Sequence, residues 1–236
     1  MLRKEEFKRY QKQIMLDEIG INGQLKMKQA KIAVVGAGGL GCPILQYLSA
    51  VGIGTVGLID FDTVDVSNLH RQVLYSENDI GKLKVEIASQ KLKLQNPHTE
   101  LILHPVMITE ENAETLLANY DIVIDGCDNF MTRYIINDVC VKLNKPLVYG
   151  SILGYEGQIA VFNFNGSKNL RDIFPEAPDA EDVPSCSENG VLGTVPGIIG
   201  TMMAQEAIKL ILNTNTLQNN LLLVNTMTWD ILKVAY

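Results

Sequence analysis

Two hydrophobic patterns alternate along the chain. Residues 31–36 (Lys-Ile-Ala-Val-Val-Gly) form a short apolar run ending in glycine, which predicts a buried parallel strand. Residues 39–51 then place Leu40, Ile44, Leu45 and Leu48 at helical spacing. The alternation continues with strands at 55–60, 101–104, 121–125 and 147–151, and helices at 82–94, 110–118 and 131–143. A charged helix over 5–13 precedes them, within an N-terminal helical segment spanning 1–30. The repeated strand–helix unit predicts an α/β fold: a Rossmann-like, mostly parallel sheet with helices on both faces. Past residue 151 the pattern changes. Residues 155–163 alternate like a strand with one wet face, and 165–189 are polar, proline-bearing and aperiodic. A helix over 197–212 follows, then apolar runs at 221–224 and 229–234 that read as a closing antiparallel hairpin. With no internal repeat or linker, residues 1–236 read as one domain, and 165–189 as a mobile crossover loop.

Composition narrows the function. Of 236 residues, 20 are basic and 27 acidic, so the net charge is −7 and nucleic acid is not expected as a partner. No run of about 18 uncharged apolar residues predicts a membrane span. The polar start MLRKEEFKRYQKQ does not read as a secretory signal. Cys42, Cys127, Cys140 and Cys186 form no Cys-x-x-Cys pair, so they read as free thiols in a reducing, cytoplasmic compartment. A closed zinc site needs four ligands, and no zinc is predicted.

The chemistry concentrates after successive strands. Gly36-Ala-Gly38-Gly39-Leu-Gly41 fits G-x-G-x-x-G at a strand-to-helix junction, where backbone N–H groups and the helix N-terminus attract phosphate. Asp60 ends the next strand, where a carboxylate accepts from a ribose hydroxyl. The glycine motif alone does not separate NAD from ATP. The segment after Asp60 adds Asp62, Ser67, Asn68 and Arg71, and Lys84 opens the next helix. Asn68, Arg71 and Lys84 suit phosphate oxygens. Asp128 and Asn129 follow the strand at 121–125, where a carboxylate can hold Mg²⁺. A triphosphate explains that density of cations and acid better than a dinucleotide does.

These residues carry a resemblance. Arg9-Tyr10 with Gln13-Ile14, the glycine turn, Asp60-Phe-Asp62, Ser67-Asn68-Leu-His-Arg71-Gln72, Lys84, Asp128-Asn129, Glu156-Gly157-Gln158 and Gly190-Val-Leu-Gly193 resemble the ThiF/MoeB/HesA family, relatives of ubiquitin-activating enzymes, over nearly the whole chain. The resemblance implies MgATP-dependent adenylation of the C-terminal glycine carboxylate of a small ubiquitin-like sulfur-carrier protein, serving molybdopterin or thiamine biosynthesis. It also implies a homodimer and a separate sulfur donor. Gly36, Gly38, Gly39 and Gly41 would cradle the nucleotide, and Asp60 would bind ribose. Asn68, Arg71 and Lys84 would hold phosphates, and Asp128 would hold Mg²⁺ with Asn129 beside it. Lys12 stands where the family has an arginine that reaches the partner subunit's triphosphate. Cys186 occupies the position of a thiol that can link covalently to the carrier. The alternatives are a related tRNA-modifying dehydratase, an NAD-binding oxidoreductase and a non-catalytic subunit.

Overall fold

A computed structural model describes residues 1–178 and 190–236. Eight strands form a single sheet in the order β3-β2-β1-β4-β5-β6-β7-β8. The strands β1 (Lys31–Val35), β2 (Thr55–Ile59), β3 (Glu100–His104), β4 (Ile122–Asp125) and β5 (Leu147–Leu153) run parallel. β6 (Glu156–Phe162), β7 (Asn220–Asn225) and β8 (Asp230–Ala235) add on antiparallel, so the predicted closing hairpin is present at the sheet edge.

Side-chain alternation divides the core between the two sheet faces. Ile32 and Val34 of β1 join one cluster with Leu40, Ile44, Leu45 and Leu48. Ala33 and Val35 join the other, with Leu117, Tyr134 and Ile136. The first face is covered by α3 (Gly41–Val51), α4 (Lys84–Gln95) and α7 (Thr194–Leu212), the second by α5 (Ala113–Leu117) and α6 (Phe130–Lys142). The helix after β1 therefore lies on one face and the helix after β4 on the other. That divergence opens a crevice at the carboxyl ends of β1 and β4.

The N-terminal segment holds two helices, α1 (Lys4–Ile14) and α2 (Gly20–Gln29), where hydrophobic spacing had marked only the first. Two glycines weaken the helical signal of α2. One is a packing requirement: a Cβ on Gly23 would stand 2.8 Å from Leu212 Cδ2 of α7. α7 is long and apolar enough to cross a membrane by length and composition alone, although Glu206 and Lys209 interrupt its apolar run. It is instead a core helix, with Val195, Ile199, Met203 and Ala207 fully buried.

The wet face expected along β6 is confined to its start, at exposed Glu156 and half-buried Gln158. β6 is an interior strand between β5 and β7; Ile159 and Val161 point into one core cluster, Ala160 and Phe162 into the other. Pattern could not reveal this, because α7, which covers the first face, lies far downstream. The segment after β6 is tied down over its first half. Leu170 is buried and donates its N–H to Asn137 Oδ1 at 2.9 Å, and Arg171 pairs with both oxygens of Asp138 at 2.7 and 2.8 Å. Residues 179–189, with Cys186, lie outside the described residues. Phe162 is the largest fully buried side chain. Phe162→Ala should cost about 3–5 kcal/mol in urea denaturation; a loss under about 1 kcal/mol would return β6 to a half-exposed strand.

Candidate active site

The glycine turn is built by close backbone contact. Gly36 has φ +91°, and a Cβ there would lie 2.6 Å from the carbonyl oxygen of Gly126. A Cβ on Gly41 would lie 2.0 Å from the oxygen of Gly36. Any side chain at either position separates β1 from β4 or breaks the turn. The N–H groups of Gly38, Gly39, Leu40 and Gly41 have no acceptor among the described residues. They are the orphan donors of the α3 N-terminus, and they face the crevice as an anion cradle.

Asp60 supports the cradle from below. Its Oδ2 accepts from Ala37 N at 2.7 Å and its Oδ1 from Asp62 N at 2.8 Å. Burial pushes its pKa above the usual carboxylate range, opposed by the Ala37 N–H and by Lys84. Asp60 thus has a structural task that sequence reasoning, which assigned it to ribose, had not foreseen. Tyr75 donates its hydroxyl to Ala37 O at 2.8 Å, fixing the turn from the other side.

The segment after β2 gathers around the same point. Lys84, almost fully buried, donates to Asp62 Oδ2 at 2.9 Å. Ser67 donates to Asp65 Oδ1 through its amide at 2.8 Å and its hydroxyl at 2.6 Å, so it shapes the turn. Asn68 Nδ2 rests 3.3 Å from Ser67 Oγ. Arg71 spends one N–H on Ser67 O at 3.1 Å, and its Cγ lies 3.8 Å from where a Cβ of Gly39 would stand. Nη1 also lies 3.4 Å from His70 Nε2, so the three N–H groups on Nε and Nη2 remain available.

At the end of β4, Asp128 is exposed and makes no hydrogen bond or ion pair among the described residues. Asn129 caps α6, its Oδ1 accepting from Thr132 N at 2.9 Å, while its nitrogen makes no hydrogen bond among the described residues. The loop carrying both is clamped by a buried pair that sequence reasoning missed. Arg133 Nε donates to Asp125 Oδ2 at 2.9 Å, and its Nη2 donates to Cys127 O at 3.2 Å and Gly150 O at 3.0 Å. Burial opposes the guanidinium charge, but Asp125 beside it prevails and its pKa rises. The eight-residue spacing of Asp125 and Arg133 spans a strand end and a helix, so no local pattern announced it.

A cavity of about 340 Å³ opens at the start of α6, its rim including Glu110 and Glu111. Phe61, Met107, Ile108, Asn129, Met131 and Ile135 line it. Its detectable signal was apolar residues in loops after strands: Phe61 and Met107 are about half exposed.

The structure keeps Lys12 apart from this site. It lies on α1, which packs against the carboxyl ends of α3 and α4, at the opposite end of the strands from the glycine turn. Tyr10 accepts from Asn96 Nδ2 beyond the end of α4, and Gln13 Nε2 donates to Val51 O at the end of α3. α3 has 11 residues, so Lys12 stands roughly 16 Å from its own glycine turn. Arg9 donates to Gln95 O and is engaged there. Cys42, Cys127 and Cys140 are buried free thiols; burial pushes Cys42 and Cys140 up to about 12. No cluster of three or more His, Cys, Asp or Glu able to hold a metal occurs among the described residues.

An open α/β sheet with unbonded helix N–H groups, cations and a free carboxylate at its topological switch point defines an α/β protein of the doubly wound class. The chain belongs to the ThiF family, which matches residues 10–235. It is 48% identical over 223 residues to adenylyltransferase and sulfurtransferase MOCS3 of Aedes aegypti, covering 94% of this chain and 51% of that protein. It is 48% identical over 214 residues to sulfur carrier protein adenylyltransferase of Thermus thermophilus, covering 89% of this chain and 79% of that one. The chain thus spans about half the length of the MOCS3 relatives. The crystal structure of E. coli MccB with ATP has the same fold, with TM-score 0.84 at 21% identity, covering 99% of this chain and 72% of that one.

The two acids of the β4 loop have separable roles. Arg133→Met leaves Asp125 charged and buried, and should cost about 3–5 kcal/mol. Asp128→Ala should stay within about 0.5 kcal/mol of the parent. Parallel urea titrations check both; equal losses would contradict the division.

Proposed function

We propose that this chain is an ATP-dependent adenylyltransferase that activates the C-terminal glycine carboxylate of a small ubiquitin-like sulfur carrier as an acyl-adenylate. The carrying observation is the convergence of the open N–H cradle at residues 38–41 with Arg71, Lys84 and the unpaired Asp128. The names of the ThiF-family relatives, sulfur carrier protein adenylyltransferase and MOCS3, support the same reading. The cavity at Phe61, Met107 and Met131, which Glu110 and Glu111 also line, is of a size to take the base.

The reaction asks for alignment more than for acid–base chemistry. The carrier carboxylate is already ionised, so no general base is needed. It attacks the α-phosphorus in line; a new P–O bond forms as the bond to the leaving pyrophosphate breaks. The cradle N–H groups, Arg71 and Lys84 hold the phosphate oxygens and meet the charge that develops on them. Lys84 keeps two N–H donors after its bond to Asp62. The donor set fits Mg²⁺, an ion that binds through one or two carboxylates, substrate phosphates and water. Asp128 would hold it, and the bound ion would neutralise phosphate charge.

Two further readings follow. Lys12 is too far from its own cradle to act in it, so we assign it to the cradle of a second copy in a homodimer. The exposed apolar residues Met15 and Leu16 beside it suit such an interface. Cys186 is assigned the covalent step with the carrier, with sulfur supplied by a separate donor. The buried free thiols suit a reducing compartment, and we place the enzyme in the cytoplasm.

Carrier-dependent ATP–pyrophosphate exchange tests the reaction. Asp128→Ala should lose about a hundredfold or more; full exchange in that variant would remove Asp128 from the site. Lys12→Ala mixed with Asp128→Ala should regain activity through mixed dimers. No recovery, with subunit exchange demonstrated, would exclude the trans role. Cys186→Ala should retain exchange yet lose any covalent carrier adduct, since adenylation needs no thiol.

A further inference from the structure

Four carboxamide side chains are buried among the described residues: Gln24, Gln72, Asn96 and Asn137. Three are bonded at both ends, as buried amides ordinarily are. Gln24 accepts from Gln13 and donates to Val51 O. Asn96 donates to Tyr10 and Ser49 and accepts from His98 N. Asn137 accepts from Leu170 N and donates to Asp138. Gln72, only 4% exposed, differs. Its Oε1 is buried without a partner, and its Nε2 makes no hydrogen bond among the described residues. Only its backbone is engaged, through Asn68 O at 2.9 Å and Tyr75 N at 3.1 Å.

The carboxamide is turned toward the glycine turn. Its Nε2 lies 3.5 Å from the position a Cβ on Gly38 would take. That contact is of ordinary length, and Gly38 has no positive φ. Neither conformation nor packing in the free chain therefore requires glycine at 38, unlike Gly36 and Gly41. What the missing side chain leaves is a gap, floored by an amide nitrogen and flanked by the open N–H groups of the α3 N-terminus. Arg71 is the adjacent residue in sequence, its side chain against Gly39.

We propose that Gln72 is a further nucleotide-contacting residue, whose Nε2 donates to a phosphate oxygen seated over Gly38. This deepens the adenylyltransferase reading and rests on it. The amide supplies a neutral donor among cations, and its geometry is set by the Asn68–Tyr75 turn that also presents Arg71. The enclosed oxygen is a cost that the protein carries in either state, whereas the unbonded nitrogen is left to donate when phosphate arrives.

The full chain with MgATP as probe tests this. Gln72→Met keeps the shape and removes the unsatisfied buried oxygen, so the free protein should melt at or above the wild-type temperature. Its affinity for MgATP by calorimetry should nonetheless fall about tenfold, the value of one hydrogen bond to a charged oxygen. Gln72→Glu, of equal size but negative, should bind more weakly still. Wild-type affinity in Gln72→Met would overturn the proposal. So would a free Gln72→Met protein that melts well below wild type, because Gln72 would then be a structural member of the turn. Failure of the wild-type chain to bind MgATP would instead remove the adenylyltransferase reading itself.

Discussion

The site hangs from one steric constraint: the backbone of Gly36 runs against the carbonyl of Gly126 with no room for a Cβ between them. The contact draws the exits of β1 and β4 together where the helices diverge to opposite faces. It also sets the direction in which α3 starts, because Gly41 packs on the Gly36 oxygen. The orphan N–H groups of α3 consequently face the mouth of the crevice rather than the core. The Asp60–Ala37 bond and the Asp125–Arg133 pair then lock the two loops in that relation.

Charges in this region divide by burial, and burial assigns their work. Asp60, Asp125 and Arg133 are enclosed and bonded to backbone or to each other, so they hold loops in place. An enclosed charge without such partners would be costly. Asp128 and most of the Arg71 guanidinium are free of such bonds and stay available to a ligand. Lys84 lies between the two groups. It is buried along its stem, but only one of its donors is committed, to Asp62, so its ammonium can serve both the loop and a phosphate.

The antiparallel extension contributes to the same region from the other side. Inserting β6 between β5 and β7 requires an apolar cover, and α7 supplies it. The start of α7 abuts the cradle: a Cβ on Gly193 would stand 2.1 Å from His70 O, and one on Gly39 would stand 3.2 Å from Pro196 Cβ. Packing that completes the core therefore also presses the entry of α7 against Arg71 and the glycine turn.

Local chemistry made much of this legible. Apolar runs ending in glycine marked β1 and its turn, helical spacing marked α3, and alternating strand and helix marked the parallel sheet. Gly36 and Gly41 were identifiable because a tight turn at a strand end needs residues without a Cβ, and Arg71, Lys84 and Asp128 stood out as candidates because they are charged residues a few positions past strand ends. The sequence alone did not show that Asp60 braces the turn, that Arg133 clamps the β4 loop, that β6 is buried on both faces over most of its length or that Lys12 lies at the far end of the strands. Those depend on contacts between different elements, where burial decides whether a charge is free for a ligand or supports the backbone. A periodicity records which face of an element is apolar; only the packed fold determines what covers that face, and so which polar groups are left free.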